Sequence, residues 1–206
     1  MTTDQLPQRL RKDYTMLLWL LWGAISIGAV TVVGASLTTI RDAIRNTNVP
    51  VHVSFDSLQG TAPVGENGQE VAVNIANGTL TVPSMPVAGT AAMLIEHALV
   101  LGATLTFVGA LYLLFRQVTN GVVFSPRNTK IVDTLAVCAI LVTGLAPFFG
   151  NMASNAAFAQ VSNYTVDNPG GSNAIIGLTA AAGIGFLTSL FFRVGHSLAE
   201  TSEGLV

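Results

Sequence analysis

The chain has 206 residues, nine of them Lys or Arg and eleven Asp or Glu, and half of it is hydrophobic. Charged side chains make up 10% of it, against roughly a quarter in soluble domains, which excludes the charged, mixed surface that such domains need. A net charge of −2 without any basic tract excludes a nucleic-acid footprint, so no direct nucleic-acid partner is expected.

Charges are missing between Asp13 and Arg41, Glu96 and Arg116, Asp133 and Asp167, and Asp167 and Arg193. Each gap holds the roughly 20 apolar residues that a bilayer-crossing helix needs. The first predicted span is about 16–40, with Arg9, Arg11 and Lys12 ahead of it. It reads as a retained anchor, because the apolar core of a signal peptide is only about 7–15 residues long; a cleavage site at Val33-Gly-Ala-Ser36 is the rival reading. Residues 41–88 are the one sizeable hydrophilic segment. Apolar and polar residues alternate through "VPVHVSFDSL" and "EVAVNIANGTLTV", which predicts two or three short strands in a small β flap. Asn77-Gly78 carries the hairpin signal, and "QGTAPVGENGQ" reads as loop.

The second span is predicted at about 90–115 and the third at about 131–150, where Pro147 should kink or end the helix. Residues 151–173 are polar and read as an outer loop, and the fourth span covers about 174–192 before a short tail. The expected architecture is an all-α membrane protein: four transmembrane helices in an antiparallel bundle, with an extracytoplasmic β flap between helices 1 and 2. Lys and Arg set orientation. With the N-terminus, the 116–130 segment and the tail on one side, that side holds seven of them and the other only Arg41 and Arg45. Both termini are therefore expected in the cytoplasm. Tyr14, Trp19, Trp22, Tyr112, Phe115, Phe191 and Phe192 fall near the same interface, as aromatic belts do.

Helices in lipid associate through close packing of small residues. The fourth span has Gly177, Ala181, Gly185 and Ser189 on one face, which reads as an internal packing seam, with a homodimer or partner seam as the alternative. Ala98, Gly102 and Gly109 in the second span and Ala24, Gly28 and Gly34 in the first offer similar stripes.

Catalytic chemistry is not recognisable: there is no Ser/His/Asp set, no paired intramembrane carboxylate and no phosphate-binding glycine loop. Glu96 and His97, near the outer end of the second span, form the weak candidate for a proton-linked or metal-binding pair, with His52 of the flap as a third member. An interfacial pair without such a role is the plainer reading, and no cofactor or metal is expected. Asp133, one turn into the third helix, favours the positive end of the helix dipole, with Lys130 or Arg127 to neutralise it. Cys138 lies in an apolar run and reads as a small buried hydrophobe.

Between the second and third spans stands "NGVVFSPRN". Gly121 is placed to end one helix, Ser125 to cap the next, and Pro126 to occupy its first position. Gly121, Phe124, Ser125, Pro126 and Asn128, together with the ending "LAETSEGLV" and the four-span pattern, resemble the bacterial membrane family catalogued as domain-of-unknown-function family 2975. The resemblance implies a partner, since such proteins are often encoded beside a small helix-turn-helix regulator of the Xre class. The function expected is that of a non-enzymatic regulatory or interaction protein in the lipid bilayer, docking a protein partner through the 116–130 hairpin and the 193–206 tail. Val194, Leu198 and Leu205 would give that tail an apolar side. The alternative is an accessory subunit of a larger membrane complex such as a respiratory assembly. A transporter ranks below both, because mid-span polar groups are missing.

Overall fold

Helices account for nearly everything beyond one β hairpin in the computed structural model, which describes residues 8–120, 122–163 and 174–203. In chain order the elements are α1 (Gln8–Arg45), β1 (Val49–Ala62), β2 (Val71–Val82), α2 (Val87–Thr119), α3 (Pro126–Ile140), α4 (Ala146–Ser162) and α5 (Ala174–Glu203). Four helical segments are long and apolar enough to cross a membrane: Trp19–Arg45, Val87–Thr119, Pro126–Ser162 and Ile175–Leu198. That is the make-up of a multi-pass membrane protein, in which each spanning backbone satisfies its own hydrogen bonds.

Every span continues beyond the predicted apolar window, because hydropathy marks only the part of a helix that needs lipid. The third shows this most clearly. Pro147 neither ends it nor breaks it; a π-helical turn at Leu141–Leu145 leads directly into α4, which carries Pro147 in its first turn. A proline ring clashes with the carbonyl four residues back, here that of Thr143, and the wider π turn absorbs the misfit. The Thr143 hydroxyl donates to Ala139 O at 2.7 Å, supplying a local side-chain bond within this irregular stretch. Residues 151–162, expected as loop, form the rest of α4. Asn163 ends that helix in the left-handed conformation (φ 54°), its N–H bonded to Ala159 O. The remainder of the expected outer loop, 164–173, lies outside the described residues.

Two compact units make up the chain. One contains Leu37–Ala98 and the described part of Leu145–Ala174. Its core is a true hydrophobic one, with Val49, Val51, Val53, Val82, Met85, Ala153, Ala157 and Phe158 all buried. Val51 and Val53 point inward while His52 and Ser54 stay exposed, as the alternation requires. The β hairpin has two antiparallel strands, with an irregularity between Ser54 and Leu58. A two-stranded hairpin is marginal alone, and here it is packed on α4: the ring of Phe55 meets that of Phe158 edge-on at 5.7 Å. Asn46 fastens the base of the hairpin, accepting from Met85 N–H at 2.6 Å and donating to Met85 O at 3.0 Å.

The hairpin turn corrects a sequence expectation. Asn77-Gly78 lies inside β2, opposite Ser54 and Val53. The turn is made by the other Asn-Gly pair, Asn67-Gly68, with positive φ of 57° and 78° and a Gln69 N–H to Glu66 O bond of 3.3 Å. Two successive left-handed residues are what a tight hairpin turn demands. Gly78 serves packing instead, since a Cβ there would come 3.0 Å from the Phe55 ring.

The other unit contains the described residues of Met1–Ser36, Leu99–Gly144 and Ile175–Val206. Within it Trp22 of α1 contacts Tyr112 and Phe115 of α2 edge-on, at 6.0 and 5.9 Å. The small residues of α5 face α3 and the π turn that follows it. A Cβ on Gly185 would sit 2.6 Å from that of Ala136, and one on Gly177 would meet the Thr143 Cβ at 3.7 Å. Ala181 is half-buried on the same face. By contrast, a Cβ on Gly28, Gly34, Gly102 or Gly109 meets nothing within 4 Å, so those stripes lie open.

Candidate functional site

The turn between α2 and α3 is built by local chemistry. At the end of α2, Asn120 N–H bonds to Arg116 O and Gln117 O, and Val122 N–H to Gln117 O at 3.0 Å. This last bond is the six-to-one closure of a Schellman-type helix end. Gly121 itself lies outside the described residues. Ser125 is the N-cap of α3, in extended conformation, and its hydroxyl accepts from Asn128 N–H at 3.2 Å. Pro126 takes the first helical position, where a missing N–H leaves nothing unsatisfied. Asn128 is fully buried, and its Nδ2 donates to Val122 O and Val123 O, both at 2.8 Å. One side chain thus holds two loop carbonyls.

Phe124 joins this turn to α5. Its ring lies 5.6 Å from Phe191 and 5.8 Å from Phe192. It also rests directly on Gly195, where an added Cβ would be 2.5 Å from the ring. A second link lies nearby. Ser189 Oγ donates to Asp133 Oδ1 at 2.6 Å, while Arg193 reaches Asp133 Oδ2 through Nη2 at 3.0 Å and Ser189 Oγ through Nε at 3.2 Å. Asp133 is therefore neutralised by Arg193 of α5, which corrects the expectation that Lys130 or Arg127 does so. Ser189 belongs to the small-residue face but works through its hydroxyl.

The structure places the weak candidates Glu96, His97 and His52 in the unit that holds the β hairpin. The Glu96 carboxylate rests on Gly150 of α4, where a Cβ would lie 2.6 Å from Oε1 and push the carboxylate aside. His97 Nδ1 bonds to Met93 O at 3.0 Å and stands 3.8 Å from Glu96 Oε2. Among the described residues, no group of three or more His, Cys, Asp or Glu side chains is placed to hold a metal. The geometry is that of a half-buried carboxylate packed on Gly150, with one imidazole beside it, in a helix contact.

Sequence reasoning missed the clasp of Asn46 on Met85 and the contact of Phe124 with α5. The first had a faint signal in two asparagines, Asn46 and Asn48, at a helix end, a residue type that tolerates the positive φ both adopt. The second had none, since the partners lie some seventy residues apart in the chain. No protein-family model, curated protein or solved structure matches this chain.

Proposed function

We propose that the chain is a non-enzymatic membrane protein that docks a protein partner on the platform made by the 122–130 turn and the end of α5. The observation that carries this reading is the seating of Phe124 on Gly195 and against Phe191 and Phe192, which makes turn and helix end one surface. Around it Val122, Val123, Val194 and Leu198 stay exposed, and α5 continues as helix to Glu203, well past Arg193. Val194 and Leu198 form an apolar i, i+4 pair in the last turns of the Ile175–Leu198 span, and such a pair suits a helix-in-groove contact. The Lys and Arg count supports a cytoplasmic position for this platform and for both termini in a bacterial inner membrane. The resemblance of "NGVVFSPRN" to family 2975 supports an Xre-class regulator as the partner.

The double substitution Val194→Asp/Leu198→Asp tests this. Insertion and thermal stability should be unchanged, while the partner that copurifies with the wild type in mild detergent is lost. An unchanged set of copurifying proteins refutes the docking reading.

A second reading, an accessory subunit of a larger membrane complex, draws on the open small-residue faces around Gly28 and Gly102. The α5 seam does not serve it, since Gly185 packs on Ala136 of α3 and Gly177 meets Thr143 of the π turn in the same chain. Gly28→Leu would release such a subunit and leave a docked regulator in place.

A further inference from the structure

An open groove of about 380 Å³ runs between α2 and α3, and its residues are arranged by polarity along its length. Arg127 and Lys130 stand at the end beside the turn. Going inward, the walls are Gly109, Ala110, Leu113 and Ile131. Thr106 and Thr134 line it as well, but their hydroxyls donate to the helix carbonyls of Gly102 at 2.7 Å and Lys130 at 2.9 Å. From Arg127 to Thr134 is about 10 Å along the helix axis. The groove is cationic at the mouth and apolar below.

Neither cation has an acidic partner among the described residues. Asp133, the carboxylate nearest in sequence, is held by Arg193 and Ser189. Arg127 also lies in the first turn of α3, where the exposed N–H groups add positive potential. A small soluble anion would match the mouth and leave the apolar walls unused. A lipid with an anionic headgroup matches both. We infer that this groove binds an anionic phospholipid, its headgroup phosphate on Arg127 and Lys130 and an acyl chain along Gly109, Ala110, Leu113 and Ile131. Basic pockets between transmembrane helices recognise lipid headgroups in this way.

Gly109 makes the tail part testable. A Cβ there meets nothing within 4 Å, so a side chain can start from this position without a clash at its first atom. The full chain in phosphatidylcholine vesicles, with and without phosphatidylglycerol, is probed with spin-labelled lipids, reading the motionally restricted fraction of each. The wild type should select phosphatidylglycerol. Each neutralised cation should lower that selectivity about fivefold and Arg127→Gln/Lys130→Gln about thirtyfold, since a basic residue near an anionic surface is worth about 1 kcal/mol. The swap Arg127→Lys/Lys130→Arg should keep the selectivity, and Gly109→Leu should reduce it with both charges intact. Equal restriction of the two lipids by the wild type overturns the proposal, as does selectivity that survives the double Gln change. Unchanged selectivity in Gly109→Leu would remove the tail from this groove. Displacement of the label by inorganic phosphate would show a free anion site instead.

Discussion

Asn128 shows how much a single side chain decides in the α2–α3 turn. It is fully buried, its amide donates to two carbonyls, and its backbone N–H caps onto Ser125. Losing a buried hydrogen-bond partner leaves the other group unsatisfied, at a cost of about 1–3 kcal/mol. Asn128→Ala should therefore lower the thermal unfolding midpoint in detergent by an amount corresponding to that range. Asn128→Asp should lower it further despite equal size, since a carboxylate would face two carbonyl oxygens. An Asp variant as stable as the wild type would show that the turn holds without this clasp. The Ser125 cap and Pro126 were legible in the sequence because capping acts within three residues. The bonds from Asn128 back to Val122 and Val123 depend on the path of the loop, and residue types do not prescribe that path.

At the level of elements, the hairpin separates a local signal from its context. Two Asn-Gly pairs stand in the hydrophilic segment, and both satisfy the residue preference of a tight turn. Only Asn67-Gly68 turns, because the register that buries Val49, Val51, Val53 and Val82 on one face places the reversal there. Slipping the strands to turn at Asn77 would leave that face without a partner strand of matching length. Replacing Asn67 and Gly68 by Ala should cost about 1 kcal/mol at each position, the penalty of a left-handed conformation for an ordinary residue. Faster hydrogen exchange of the β2 amides would report it. Asn77→Thr should leave exchange unchanged, since its bond from Ser54 is exposed. The same lesson applies to α4. "NMASNAAFAQVS" reads as polar loop on composition, yet Ala153, Ala157 and Phe158 recur at helical spacing and are buried in the hairpin's unit.

For the whole molecule, the Lys and Arg asymmetry makes a prediction that either labelling pattern decides. In a Cys138→Ala background, which removes the lone and buried thiol, single cysteines are introduced as Asn67→Cys, Val122→Cys and Thr201→Cys. A membrane-impermeant maleimide applied to intact cells should label the first, and the other two only after permeabilisation. The reverse pattern would invert the topology and place the 122–130 turn outside. Labelling of all three in intact cells would refute the four-span arrangement.

The sequence by itself determined the membrane class, the number and approximate position of the long apolar helices, the hydrophilic insertion after the first, and the helical turn at Ser125-Pro126. These are legible because transfer of a stretch of some 20 residues into lipid and the capping of a helix are sums over neighbouring residues. Only the tertiary structure decided that α4 extends to hold the β hairpin, that Arg193 and not Lys130 or Arg127 answers Asp133, and that Phe124 ties the turn to α5. Each of these joins groups between about fifty and a hundred positions apart in the chain. Their free energy depends on the distance between helix faces, and the sequence pattern constrains which residues share a face without saying which faces meet.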